Sequence, residues 1–261
     1  DVVEDLPYAV KVAEHLGVDL EIVKIDSNNL ANDLVEMVWQ LDEPLADPAP
    51  LNVLYISRLA KERGIKVLLS GSGGDDLFTG YRRHLALRYE GLWSWLPPIA
   101  RQGLERFSIN LDQSKTIGRR LSRLFNNAGA SGDERLSAYF AWARRDDLEP
   151  LFSPEMRNAV KSIRPEQPML DFLAGVDTVV SPIDRMLTLE QRFFLADHNL
   201  IYTDKMSMVV GVEVRVPFLD LDLVELAASI PDQYKQKGRI GKWVLKKAME
   251  PYLPHDVIYR P

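Results

Sequence analysis

The chain has 261 residues, a formal net charge of -6 and 46% hydrophobic residues, enough to bury a real core in one large domain or two small ones. The acidic balance leaves no basic footprint for nucleic acid, and the lack of cysteine excludes disulfides, thiolate catalysis and Cys-ligated metals. Four scattered histidines form no zinc motif, no apolar run reaches the length of a membrane span, and no signal-peptide pattern opens the chain, so a cytoplasmic protein is the expectation.

Leu6, Val10, Ala13 and Leu16 predict a helix over 5–16, stopped by Gly17. Asp19 to Ile25 alternates charged and apolar residues, the period of a strand, and Val23 stands near its end. Helices follow over 30–41 and over 51–63, the latter with Leu59 and Ala60 on its buried side, and Lys66 to Leu69 is the next strand. Alternating helices and strands with short links predict an α/β fold, a parallel sheet with helices on both faces. Between two of these helices, Asp42 to Pro50 holds three prolines and three acids. It reads either as a rigid surface connection or as a loop at the carboxyl ends of the strands, where Asp47 contacts substrate or metal.

The run from Val67 to Tyr81 concentrates unusual chemistry. A short apolar strand ends in Ser70-Gly71-Ser72-Gly73-Gly74, and Asp75 and Asp76 follow where a helix can begin. Glycines let backbone approach an anion closely, and a helix start aims N–H groups at it. Two carboxylates repel a bare phosphate, so a ligand role needs a bridging cation, most simply Mg²⁺. The competing reading is that both acids only complement the helix dipole. The run lacks the Lys-Ser/Thr ending of a Walker loop and the spaced glycines of a dinucleotide site.

Residues 82–200 read as mainly helical, with helices over 115–125, 134–143 and 183–195. Trp93, Trp95, Trp142, Phe107, Phe125 and Phe140 are expected between them as core. Arg119-Arg120 and Arg144-Arg145 read as solvated faces, and 129–132 and 165–168 as flexible breaks. A helical pattern returns over 186–208, ending in Asp204-Lys205-Met206-Ser207-Met208. Residues 211–217 read as extended, and Asp220 is placed to cap a helix over 221–229, with Arg215 in a loop salt bridge. In Gly238 to Ala248, Lys242 falls in the first turn of a helix, where a cation opposes the dipole by about 0.3–1 kcal/mol unless an anion or water relieves it.

Four blocks in order, Asp42-Glu43-Pro44-Leu45-Ala46-Asp47-Pro48, Ser70 to Tyr81, Asp204 to Met208, and Gly211 to Asp220, resemble the synthetase domain of the glutamine-hydrolysing asparagine synthetases. The resemblance runs from near residue 8 to the end of the chain. It implies an adenine nucleotide alpha hydrolase-like fold of the PP-loop ATPase type, with 1–90 as the nucleotide-binding part and 91–261 as a mainly helical part completing the cleft. It also implies ATP and Mg²⁺, activation of a side-chain carboxylate as an acyl-adenylate, and attack by ammonia. On the matching positions, Ser70, Gly71 and Ser72 would contact the nucleotide, with Val23 near the adenine through its backbone. Asp75 would hold Mg²⁺, Lys242 would grip pyrophosphate, and Asp47 and Asp76 would face the substrate.

The sequence departs from the family at three places. The Ser-Gly-Gly-x-Asp-Ser pyrophosphate loop does not occur in it, and neither does the glutaminase domain with its cysteine nucleophile. Serine stands at position 72, where many members carry a glutamate that helps deprotonate the amine. The chain therefore reads as a piece of a longer protein, inactive alone, whose ammonia comes from a glutaminase domain elsewhere in the parent. The Leu45 to Pro48 segment replaces a Thr-rich one and leaves the carboxylate open: free aspartate, another acid, or an intramolecular closure. A non-catalytic nucleotide- or partner-binding domain is the rival of another class, and the resemblance leaves room for a homodimer.

Overall fold

The computed structural model describes residues 5–25, 27–43, 45–112, 114–143, 145–177 and 179–260, which form two compact units: Tyr81–Leu189, and 2–80 together with 190–261. Pro44 and Arg144 lie outside the described residues.

The discontinuous unit carries the conspicuous motifs. Helix α1 (Leu6–Leu16) ends where Gly17 turns left-handed (φ 63°) and returns its N–H to the last turn, the stop expected of that glycine. Helices α2 (Ser27–Gln40) and α3 (Ala49–Glu62) follow. Prolines at 48 and 50 suit the start of α3, where missing N–H groups are no loss. Strand β1 (Val67–Leu69) leads into the short helix α4 (Gly74–Phe78).

After the other unit, residues Glu190–Leu200 form a π-helical segment, followed by helix α5 (Ile201–Met208), strand β2 (Glu213–Arg215), helix α6 (Leu221–Ser229) and helix α7 (Trp243–Met249). Strands β1 and β2 pair in parallel, Val67 with Glu213 and Leu69 with Arg215. The ladder runs one bond further, from Ser70 N–H to Arg215 C=O at 2.8 Å, and so fixes the first residue of the serine-glycine turn. Two apolar clusters hold these parts together. Met37, Leu41, Leu51, Leu54 and Met206 join α2, α3 and α5, while Leu77, Phe78 and Ala227 join α4 to α6, with Val244 and Leu245 of α7 against them. Met206 and Ser207 of the Asp-Lys-Met-Ser-Met run are fully buried, so two of its five residues are core.

The parallel pairing agrees with the α/β expectation, but the sheet has only two strands among the described residues. The predicted strand over 19–25 does not form: this stretch is irregular backbone, with Leu20, Ile22 and Ile25 exposed and Val23 half-buried. An alternating sequence becomes a strand only against a neighbour that accepts its hydrogen bonds, and no described strand lies beside it. Asp220 caps α6 as expected, its Oδ1 accepting from Asp222 N–H at 3.1 Å, but Arg215 pairs with Glu213 two residues back on its own strand (2.8 Å).

The unit Tyr81–Leu189 holds helices joined by turns and no strand among its described residues. The buried Arg135 guanidinium donates to Leu124 C=O (2.7 Å) and to Asn126 C=O, and pairs with Glu90, while Arg185 makes a two-oxygen bond to Asp133 (2.7 and 2.8 Å). The expected aromatic core is smaller than the sequence suggests. Trp93 is buried edge-on against Phe125, but Trp95, Phe107 and Trp142 are 74%, 63% and 70% exposed. The Trp95 indole N–H bonds to Leu92 C=O within its own turn, outside any helix that could present it to a core. The break expected at 165–168 is instead the start of a helix, Gln167–Ala174, with Pro168 in its first turn.

Candidate functional site

The turn after β1 and the loop before α7 meet through backbone. Lys242 N–H donates to Phe78 C=O at 2.8 Å, and Thr79 Oγ1 donates to Lys235 C=O at 3.0 Å. Thr79 (φ 66°) and Lys242 (φ 54°) are both left-handed, a conformation disfavoured for any residue with a Cβ and most for a β-branched one. Two unfavourable residues in contact indicate that the surrounding packing enforces this junction, a pattern concentrated at functional sites.

Glycine is required on both sides of the junction. A Cβ on Gly241 would lie 2.1 Å from Thr79 O, and a Cβ on Gly80 would lie 1.3 Å from Asp75 Oδ1. The result is that Lys242 Nζ sits 2.8 Å from Asp75 Oδ1, with both side chains about one-third exposed (33% and 38%). Lys242 is the N-cap of α7 and not in its first turn, so its orientation comes from the junction. Asp75 and Asp76 fall in the first turn of α4, and neither caps it. Asp76 is 1% exposed.

Ser70 and Ser72 close on each other, Oγ to Oγ 2.8 Å, with Ser72 N–H also donating to Ser70 Oγ. Gly71 is exposed between them. Asp47 accepts from Ala49 N–H at 2.9 Å, fixing the start of α3, and faces His198 Nε2 at 3.4 Å, with both side chains largely buried. His198 stacks on Phe194, and its Nδ1 lies 2.9 Å from Asn199 Oδ1. Burial, with the charges of Asp47 and then Asp76, pushes the Tyr202 phenol above its ordinary range. Asp42, itself left-handed, pairs with Lys205, which ties the acidic proline loop to α5.

The structure therefore brings Asp75, Asp76 and Lys242 to one corner and Asp47 to the neighbouring His198–Tyr202 cluster. Ser70, Gly71 and Ser72 form the turn leading into that corner, and Val23 lies in the irregular stretch described above. Among the described residues no group of three or more His, Asp or Glu side chains is placed to hold a metal ion. Sequence reasoning missed Thr79, His198 and Tyr202; His198 reaches Asp47 through folding alone.

The parallel pair among helices is an α/β arrangement, and the charged corner lies at the carboxyl end of a strand, the edge where such sheets usually bind ligands. The asparagine synthase family model matches residues 3–261, and the chain belongs to that family. It is 30% identical over 263 residues to a putative glutamine-hydrolysing asparagine synthetase of Mycobacterium tuberculosis (strain H37Rv), covering 98% of this chain and 38% of that protein. It is 28% identical over 266 residues to asparagine synthetase 1 of Bacillus subtilis (98% and 39% covered), and 26% identical over 276 residues to the amidase chyE of Penicillium rubens (95% and 39% covered). The chain thus spans about two-fifths of the length of the curated relatives it matches.

Proposed function

We propose that the protein containing this chain amidates a carboxylate, aspartate foremost, using ATP and ammonia, and that these residues form its adenylating site. A carboxylate oxygen attacks the α-phosphorus and the bond to pyrophosphate breaks. Ammonia then attacks the acyl carbon, the bond to AMP breaks, and the surplus proton passes to a base. Charge develops on the pyrophosphate leaving group, so a cation fixed beside it is the main requirement.

The observation supporting this reading is the Asp75–Lys242 contact held by left-handed Thr79 and Lys242. Lys242 neutralises the leaving pyrophosphate. Asp75, released from it, would hold Mg²⁺, which needs only one or two protein carboxylates and would supply further charge neutralisation when bound. Ser70, Gly71 and Ser72 line the nucleotide, with Val23 near the adenine, and Asp47 and Asp76 face the carboxylate substrate. The Ser72 hydroxyl bonds to Ser70 and has no useful basicity, so the proton leaves through another group. The sequence holds no Ser-Gly-Gly-x-Asp-Ser run and no cysteine, so the full reaction belongs to a longer protein with that loop and a glutaminase domain, and the 261 residues alone adenylate nothing.

The test is pyrophosphate release from MgATP by the full-length protein with ammonia and a panel of carboxylates. Release that depends on one carboxylate supports the reading and names the substrate. Absence of release with every carboxylate refutes it. The Leu45 to Pro48 segment leaves room for a second reading in which the same chemistry acts on an acid other than free aspartate, and the same panel separates the two.

A further inference from the structure

We infer that Lys246 is a second lysine of the anion site, contacting the same polyphosphate leaving group as Lys242; this rests on the amidation reading above. Lys246 N–H donates to Lys242 C=O at 2.8 Å, so the two lysines stand one turn apart on one side of α7. The neighbouring cations each have a carboxylate: Lys242 has Asp75 (2.8 Å), Lys247 has Glu250 (2.7 Å) and Arg260 has Asp5 (2.8 Å). Lys246 has none within ion-pair distance among the described residues. The residue is half-buried, and its ammonium lies 5.7 Å from the centre of the Tyr259 ring, a weak partner for a full charge.

Burial first, then the positive charges of Lys242 and Arg260, hold this ammonium below the ordinary lysine range, with Asp75 opposing them. A partly desolvated cation beside two others is an unfavourable arrangement unless an anion completes it. Once Asp75 turns to a bridging cation, the surplus positive charge around Lys242 and Lys246 increases, and a multiply charged pyrophosphate is the ligand that matches it. Lys247, next in sequence, has its charge matched by Glu250 at 2.7 Å and serves as the internal control.

The experiment compares Lys246→Met, Lys246→Gln, Lys246→Arg and Lys247→Met in the full-length protein by calorimetric titration with magnesium pyrophosphate and, separately, with AMP. Removing one charge-assisted contact weakens pyrophosphate binding about 10- to 100-fold in the Met and Gln variants. The Arg variant keeps affinity within about threefold because the charge remains. Lys247→Met binds like wild type, and AMP affinity is unchanged throughout. Wild-type pyrophosphate affinity in either neutral variant overturns the inference, as does equal loss of pyrophosphate and AMP binding, which marks a structural lysine. A wild-type protein that binds no pyrophosphate overturns the amidation reading with it, whereas tight wild-type binding with insensitive variants removes Lys246 alone.

Discussion

Replacing Gly241 by alanine probes the junction that positions Lys242. The new Cβ would lie 2.1 Å from Thr79 O and 3.3 Å from its carbonyl carbon, so the oxygen contact is 0.9 Å inside the 3.0 Å that real Cβ atoms respect. Because the obstacle is backbone, no side-chain rotation relieves it. The segments must part, stretching the 2.8 Å bond from Lys242 N–H to Phe78 C=O. Overpacking of about 1–3 kcal/mol and the loss of a hydrogen bond of about 1 kcal/mol give a destabilisation of roughly 2–4 kcal/mol. Urea unfolding should show the midpoint falling at unchanged slope. Gly103→Ala is the control: it lies within helix Pro98–Ile109 with nothing within 4 Å of its Cβ, so alanine there should stabilise by about 0.5–1 kcal/mol. A Gly241→Ala protein within about 0.5 kcal/mol of wild type would refute the close-approach argument.

Lys242→Met should lower carboxylate-dependent pyrophosphate release by about 10²–10³-fold, the scale of losing a fixed charge on a leaving group. Because Lys242 and Asp75 are each about one-third exposed, its unfolding free energy should move by less than about 1 kcal/mol, which denaturant titration checks. Met206→Ala, at a fully buried position between α2 and α3, should cost about 2–5 kcal/mol in the same titration. The Tyr55 hydroxyl and the Arg58 guanidinium hold the Asp33 carboxyl below its ordinary range, so its contribution is present above about pH 4 and is lost as pH falls further. The stability gap between wild type and Asp33→Asn should therefore be widest near neutrality and close toward acid; a gap independent of pH would contradict the assignment.

Where local chemistry decides structure, the sequence could be read directly. Gly17 stops α1, Asp220 caps α6, and the apolar run before Ser70 forms a strand, because each depends on residues within a few positions. The Asp19 to Ile25 alternation misled, since period two records only that a strand is allowed and says nothing of a neighbour to pair with. Trp95 and Trp142 misled in the same way: composition marks an aromatic as suitable for a core without fixing which helix carries it there. At the candidate site, Asp75 and Lys242 were each visible as unusual charges, but their contact depends on Gly80, Gly241 and the left-handed Thr79. Nothing near positions 47 or 198 announces that Asp47 faces His198, because that meeting is made by the packing of distant elements.

The central claim, that the carboxylate is activated by bonding to the α-phosphorus of ATP, is tested most directly by isotope transfer in the full-length protein. Aspartate labelled with ¹⁸O in its side-chain carboxylate, turned over with MgATP and ammonia, should leave one label in AMP and none in pyrophosphate. Amide formed with unlabelled AMP, or with the label in a β- or γ-phosphate, would contradict adenylation at this site.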